Sequence, residues 1–494
     1  MDTEDKIKEI RLDKAKKLEN LGREAYPSHS DRNVDVFVVK KNFCKWSLLK
    51  KKVIIAGRIM SQRGQGGIMF LNLRDASGDL QLVFKKDTLS DLNVAQNNLD
   101  LGDFIECEGC LFKTQRGEKS LLVKKWKMLS KSLKPLPSEW YGLKDTEERF
   151  RRRYVDLILN QDVKDRFVLR SKIIQLMREF LDKSGFLEVE TPILQKLHGG
   201  ALARPFKTKI NALNMDLYLR IAPELYLKRL IVGGFEKIYE IGRNFRNEGV
   251  DRNHNPEFTM MELYWAYQDY EGLMGFMEDL MIYILKKAMP VAKNPLLVNY
   301  NGTLLNFQKP WPRKNFRDVI KEYSGLDFDE SSEKEILEVM KNNNLEISEQ
   351  TKKQNRAELL DEIFKKICLP KLIQPAFLIH HPAGISPLSK LRKDNKGEAE
   401  RFQAICANTE FLNGYSELND PQEQAKRFKD QEERIIAGNE EASRFDQDYI
   451  EALEYGMPPT AGVGIGIDRL VMILTNTANI KEIILFPFMR NKEE

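Results

Sequence analysis

Apolar and polar positions change their rhythm several times along this chain, and each rhythm predicts a different element. Over residues 4–21, Ile7, Ile10, Leu18 and Leu21 fall near one stripe, acids crowd the first turn, and Gly22 and Pro27 follow the last. That spacing predicts a helix with a lysine-rich opposite face. Between about 53 and 129 the pattern shortens to apolar runs at 53–57, 68–73, 80–84, 104–108 and 120–123, broken by glycine. Several short strands in so small a span predict a small barrel of the OB type. Lys134-Pro135-Leu136-Pro137-Ser138 reads as a stiff connection, and Arg149-Phe150-Arg151-Arg152-Arg153-Tyr154 as a basic run at a domain joint. The boundaries that follow are an extension over 1–50, a barrel over 51–133, a linker over 134–164 and a larger domain over 165–494. In the larger domain long helical patterns mix with antiparallel strand patterns, and a lysine- and glutamate-rich helical insertion without evident chemistry is expected near 295–372. The fold class is α+β.

Two runs in the larger domain carry chemistry on one parity only. In a strand, alternate side chains share a face. Before a polar loop, Glu240, Gly242, Asn244 and Arg246 fall together, with Tyr239, Ile241 and Phe245 opposite. After it, Phe258, Met260, Glu262 and Tyr264 share a face, and Thr259, Met261, Leu263 and Trp265 the other. One side of this hairpin is apolar enough for a core. The other gathers an arginine, acids and aromatics, which a merely solvated face does not explain.

Composition narrows the class. The chain of 494 residues is 31% charged with a mean hydropathy of −0.47. No apolar run approaches the ~18 residues a membrane-spanning helix needs. The first residues are acidic and carry no signal-like apolar segment, so a cytoplasmic location is expected. The net charge of +5 is matched by residues 1–52 alone, with 14 Lys/Arg against 9 Asp/Glu, a weak attraction for phosphate backbones. Five cysteines make no disulfide framework, and Cys107-Glu108-Gly109-Cys110 would point its thiols to opposite faces of a strand. No G-x-x-x-x-G-K-[ST] loop and no strand-glycine-helix unit is present, which disfavours a P-loop or Rossmann enzyme.

Arg243-Asn244-Phe245-Arg246-Asn247-Glu248 with His254-Asn255-Pro256-Glu257-Phe258 resembles motif 2 of the class II aminoacyl-tRNA synthetases. Gly185-Phe186-Leu187-Glu188-Val189-Glu190-Thr191-Pro192 resembles motif 1, the family's dimer interface, and Gly462-Val463-Gly464-Ile465-Gly466-Ile467-Asp468-Arg469 resembles motif 3. The resemblance runs from about residue 50 to the end. It implies that Arg246 grips the α-phosphate and the amino-acid carboxylate, that Glu248 reads the adenine amino group, and that Phe258 stacks on the base. His254 and Arg469 fall where the family meets the other phosphates. A guanidinium suits these planar anions because it forms paired bonds that an ammonium does not.

Gly199-Gly200-Ala201, Pro223-Glu224-Leu225-Tyr226 and Ser416-Glu417-Leu418-Asn419-Asp420 resemble the lysine-specific members. Glu224, Glu262 and Glu417, with Tyr264 and Tyr415 beside them and few cations other than the nucleotide-binding arginines, make an acid-lined slot suited to an ammonium side chain. The resemblance assigns Glu417 and Tyr264 to the ε-ammonium, Gly200, Glu224 and Glu262 to the α-amino end and adjacent contacts, and Asn413 and Tyr415 to the same lysine site. It implies ATP, L-lysine, Mg²⁺ and tRNA(Lys) as ligands and a homodimer as the assembly. In the barrel, Arg63, Phe70, Gln81 and Glu118 match the anticodon-reading set; the bland alternative makes Phe70 a core residue. A lysyl-transferring relative that modifies a protein would lack the barrel, and a non-catalytic nucleic-acid binder would not keep Arg246, Glu248, Phe258, Glu410 and Arg469.

Two features sit awkwardly. The family carries two magnesium acids spaced seven apart; Glu410 matches the second, but the first position holds Gln403. One firm magnesium site and a weakened or differently ligated second are expected. Period two from Glu417 through Tyr415 and Asn413 also puts Glu410 on the opposite face, so only a bulge near Gly414 would bring both acids to one pocket.

Overall fold

In the computed structural model the chain divides into two compact units, 1–144 and 145–494. The residues described are 3–137, 143, 145–201, 203–289, 292–348, 351, 354–436 and 444–491. Ser138 of the proposed linker, Leu202 beside the glycine pair, and residues 349, 350, 352 and 353 of the insertion lie outside them.

The first unit opens with the predicted helix, α1 (Thr3–Asn20), followed by short helices α2 (Val36–Lys41) and α3 (Phe43–Leu48) that the sequence pattern did not announce. Five strands, β1 (Lys52–Gln65), β2 (Ile68–Asp75), β3 (Gly78–Lys85), β4 (Phe104–Lys113) and β5 (Lys119–Ser130), close a barrel in the order β1-β2-β3-β5-β4. Helix α4 (Leu92–Asn98) connects β3 and β4. Alternation fills the barrel: Met69, Leu71 and Leu73 of β2 and Leu80, Leu82 and Phe84 of β3 are buried in one core with Val53, Ile55 and Ile105. Cys107 is buried in that core while Cys110 is half-exposed, and both are free thiols.

The second unit is built on an eight-stranded sheet. Its strands are β6 (Leu187–Glu188), β7 (Lys237–Phe245), β8 (Glu257–Ala266), β9 (Arg313–Asn315), β10 (Ala376–Ile379), β11 (Arg401–Cys406), β12 (Thr409–Ser416) and β13 (Thr460–Gly466). The order is β9-β10-β11-β12-β13-β8-β7-β6, antiparallel except for the pair at each end. One face of this sheet is the main core. Tyr239, Met261, Leu263, Val463, Ile465, Phe411 and Leu412 are buried there against α5 (Gln161–Lys183), α7 (Tyr270–Ala288) and α11 (Ile467–Leu474). Helix α6 (Glu224–Val232) packs with α10 (Gln447–Glu454) in a second cluster, and α8 (Arg356–Ile363) and α9 (Pro421–Ile436) are further helices of this unit.

Three expectations change here. The segment 146–159 is helical and belongs to the second unit, because its basic run is paired rather than solvated. Arg153 is fully buried 2.6 Å from Asp156, Arg149 meets both Asp156 and Glu482, and Arg151 and Arg152 pair with Glu147 and Glu148. The insertion does not start as helix: Leu297–Tyr300 and Thr303–Asn306 form a hairpin, and β9 is the sheet edge. Motif 1 contributes only the short β6, since Glu190 onward leaves the sheet.

Candidate active site

The β7–β8 hairpin fixes the site by register. Glu240 lies opposite Glu262, Gly242 opposite Met260 and Asn244 opposite Phe258, so the polar parities of both strands share one face, as the pattern predicts. On the other edge of β8, β13 sets Gly464 against Glu262 and Gly462 against Tyr264, and β12 sets Asn413 against Gly464 and Tyr415 against Gly462. The glycines keep that floor bare for the protein's own side chains. A Cβ at Gly462 would stand 2.2 Å from Glu417 Oε1 and 2.5 Å from the Tyr264 ring, and one at Gly464 would stand 2.6 Å from Met260 Cε. Above this face opens a cavity of about 520 Å³. Gly200, Glu224, Arg246, Glu248, His254, Phe258 and Glu262 line it, together with Tyr264, Gln403, Glu410, Asn413, Tyr415, Glu417 and Arg469. Every residue expected at the nucleotide, lysine and metal sites therefore shares one cavity.

At the end carrying the arginines, the Arg246 guanidinium lies 5.0 Å from the centre of the Phe258 ring. Arg469, in the first turn of α11, donates to the Glu410 carbonyl at 2.9 Å and lies 3.0 Å from His254 Nε2. His254 Nδ1 in turn lies 2.9 Å from Asp251, so the histidine joins an arginine to an acid in the loop. Asp468 anchors the start of α11, accepting from Thr259 N at 2.8 Å and pairing with Arg170 of α5 at 2.7 Å. Gln403 donates through Nε2 to Glu410 at 2.9 Å, and its Oε1 lies 3.0 Å from His381 Nε2. Burial, with help from Arg401, pushes His381 down to about 3, so the ring is neutral and its Nε2–H donates to that oxygen. The glutamine thus presents an amide NH₂ to Glu410, and its oxygen is taken.

The strand-parity conflict between Glu410 and Glu417 is resolved by a bulge, but not near Gly414. Glu410 faces Ile405 and Leu412 faces Ala404, so Phe411 is an extra residue on β12. Phe411 and Leu412 both enter the core, and Glu410 is returned to the cavity side.

At the other end three carboxylates, Glu224, Glu262 and Glu417, are each buried. Tyr264 OH donates to Glu262 at 3.1 Å, and Tyr415 OH donates to Glu224 Oε1. Burial first, and then the neighbouring Glu224 carboxylate, pushes the Glu262 carboxyl up to about 8. The expectation of few cations beyond the arginines does not hold: Lys228 of α6 is fully buried, 2.6 Å from Glu224 and 2.5 Å from Glu417. One turn along α6 separates Glu224 from Lys228, the spacing that puts both on one helix face. Burial opposes the ammonium, but Glu224 and Glu417 outweigh it and hold Lys228 above the ordinary lysine range. That ammonium occupies Glu417 Oε2, while Oε1 has no donor among the described residues.

Other lining residues carried no periodic signal. Arg401 donates to the Asn413 side-chain oxygen at 2.9 Å and fixes its orientation. From the insertion, Glu358, Asp361, Glu362 and Lys365 reach the same cavity, at the point where α8 gives way to a π turn, Phe364–Cys368. That segment therefore contributes charged side chains to the cavity lining.

In the barrel unit, Arg63 and Phe70 are direct cross-strand partners, with the guanidinium 5.6 Å from the ring centre. Phe70 is half-buried on the outward parity of β2, while Met69 and Leu71 fill the core, so the bland reading of Phe70 fails. Gln81 pairs with Ser120 across β3–β5 and accepts from its hydroxyl at 2.8 Å; Glu118 is exposed just before that serine.

Comparison with known proteins agrees with this geometry. Residues 145–490 match the family model of class II tRNA synthetases (D, K and N), and residues 53–129 match that of the OB-fold nucleic acid binding domain. The chain is 48% identical over 486 residues to a lysine–tRNA ligase of Syntrophomonas wolfei subsp. wolfei, covering 98% of this chain and 97% of that protein. It is 46% identical over 486 residues to one of Pelotomaculum thermopropionicum, covering 98% and 95%. Against one of Dehalococcoides mccartyi it is 46% identical over 491 residues, covering 98% and 97%. With its OB barrel, its antiparallel sheet and its arginine- and acid-lined cavity, the chain belongs to the class II tRNA synthetases of the D, K and N group.

Proposed function

We propose that this chain activates L-lysine with ATP and transfers the lysyl group to tRNA(Lys). Glu417 carries the reading: a carboxylate 1% exposed, on the wall of the cavity that holds Arg246 and Arg469, with Oε2 paired to Lys228 and Oε1 without a donor among the described residues. A buried acid left in that state is costly with a neutral side chain beside it and is satisfied by an ammonium. The lysine–tRNA ligases to which the chain is similar over nearly its whole length support the same choice.

The reaction needs no covalent enzyme intermediate. A carboxylate oxygen of lysine attacks the α-phosphorus of ATP, the bond to the bridging oxygen breaks, and pyrophosphate leaves. A terminal ribose hydroxyl of the tRNA then adds to the carbonyl carbon of lysyl-adenylate, and AMP leaves. The chain contributes position and charge. Arg246 neutralises the α-phosphate and the attacking carboxylate, with Phe258 as the stacking surface for adenine and Glu248 for its amino group. Arg469 and His254 meet the outer phosphates. Glu417 and Tyr264 take the ε-ammonium, while Gly200, Glu224, Glu262, Asn413 and Tyr415 shape the remainder of the lysine site.

Class II synthetases use ATP with Mg²⁺, which neutralises charge on the phosphates when bound. Among the described residues no group of three or more His, Cys, Asp and Glu is placed to hold a metal. Of the two positions where the family carries magnesium acids, only Glu410 brings a carboxylate to the cavity, because the other is Gln403, whose oxygen is engaged by His381. This donor set fits a magnesium carried on the nucleotide with one protein carboxylate, and the position of Gln403 adds no charge.

The outward Phe70, with Arg63 over it, supports anticodon reading by stacking, and Gln81 and Glu118 follow in the order of the family's anticodon-reading set. Exposed Leu187, Ile193 and Leu194 around motif 1 support a homodimer through that segment. No described helix is long and apolar enough to cross a membrane, and we place the protein in the cytoplasm. The test is aminoacylation: labelled lysine should be transferred to tRNA(Lys) in an ATP-dependent reaction, and failure to charge that tRNA would reject the proposal.

A further inference from the structure

We propose that Lys228 is a positioning residue for substrate lysine, its ammonium holding Glu224 and Glu417 at a fixed separation so that a second ammonium fits beside them. The proposal rests on the lysine reading above. Lys228 does not line the cavity; it stands behind the lining acids Glu224 and Glu417 and supports them. Its Nζ joins two elements, reaching Glu224 of the same helix at 2.6 Å and Glu417 beyond the end of β12 at 2.5 Å. The ammonium also lies 5.4 Å from the centre of the Tyr415 ring, whose hydroxyl donates to the same Glu224 oxygen that Lys228 does. Glu224 Oε1 is therefore pinned by two donors. The other Glu417 oxygen, Oε1, is aimed over bare Gly462, where it has no donor.

The charge pattern explains why an internal cation belongs in a pocket for a cation. Glu224 and Glu417 would otherwise be two buried like charges, and such a pair relieves itself by taking a proton or swinging apart. Either outcome removes the attraction for an incoming ammonium. With Glu262 holding its proton at neutral pH, the two carboxylates Glu224 and Glu417 against one buried ammonium leave one negative charge for a second positive group. Tyr264 and Tyr449 complete the titratable groups facing this cluster, and both phenols are pushed up by burial, so they remain neutral.

Lys228→Ala tests the role, because alanine leaves the space of a propylammonium ion. Lysine KM in ATP–pyrophosphate exchange should rise by about tenfold or more, with ATP KM unchanged within about twofold. Added propylammonium should lower the lysine KM again, while propanol, which fills the same space without charge, should not. Lys228→Met, which keeps the length of the side chain, should show the same rise. Lysine KM within about twofold of wild type, equal rise in ATP KM, or rescue by propanol as strong as by propylammonium would each overturn the proposal. So would failure of both variants to fold, which would make Lys228 structural. Wild-type exchange, run alongside, keeps the two ideas separate: its absence with lysine rejects the activity, and its presence beside an unmoved variant rejects only the positioning role.

Discussion

Glu417→Gln should separate lysine recognition from the remainder of the reaction. The substitution keeps shape and volume and removes one charge from a side chain that is 1% exposed. Lys228 keeps its contact with Glu224 at 2.6 Å, so the wall does not acquire an isolated buried ammonium. What is lost is the charge that Glu417 offers both to Lys228 and to the substrate ammonium, and truncating such a buried charge pair costs about 2–4 kcal/mol. At 1.36 kcal/mol per tenfold, that predicts a fall in kcat/KM for lysine of roughly 30- to 900-fold. The loss should appear mainly in lysine KM, because the contact is made in both ground and transition states. Lysine-dependent ATP–pyrophosphate exchange reads it directly, with ATP KM as the internal control. A variant within about threefold of wild type in kcat/KM for lysine would refute the assignment of Glu417 and the charge argument with it.

Arg246→Ala should lower adenylation by about 3–4 kcal/mol, the range for loss of a key electrostatic donor, and near-wild-type exchange would contradict its role. Gln403→Glu replaces the amide that donates to Glu410 at 2.9 Å with a second carboxylate, so the Mg²⁺ concentration needed for half-maximal exchange should fall by about tenfold; an unchanged magnesium dependence would refute that reading. Glu262, raised to about 8 in the folded protein, binds a proton more readily there than in the unfolded chain. Its contribution to stability is present below the ordinary glutamate range and is lost as pH rises toward about 8. Melting temperature in Glu262→Gln should therefore fall less than in wild type between pH 5 and 8, and parallel curves would contradict it.

Much of the site was legible because strand parity is a rigid rule. Period two put Glu240, Phe258, Glu262 and Tyr264 on one face without any knowledge of the register, and pairing Glu240 with Glu262 then required only that the hairpin close. The alternating glycines of β13 were equally readable, although their bareness serves Tyr264, Glu417 and Met260 rather than an open floor. The same rule failed at Glu410. A single extra residue, Phe411, inverts the parity, and nothing local in Glu410-Phe411-Leu412-Asn413 announces it, because two consecutive apolar residues also fit a plain strand. Lys228 was invisible for a different reason. On α6 it is one cation among helix residues, and only the meeting with Glu417, distant in sequence, turns it into part of the pocket. The insertion read only as a charged helical segment, and the placement of Glu358, Asp361 and Glu362 of α8 on the cavity came from the fold, not from any local pattern. Pairing partners also decided the linker, since Arg149 and Arg153 find Asp156 and Glu482 and fold back onto the larger unit.

The central claim is that an acid-lined cavity next to two phosphate-binding arginines activates lysine. ATP–pyrophosphate exchange with each standard amino acid, with and without tRNA, tests it most directly. The account predicts exchange with lysine alone, independent of tRNA. Exchange driven by aspartate or asparagine, or silence with every amino acid, would contradict it.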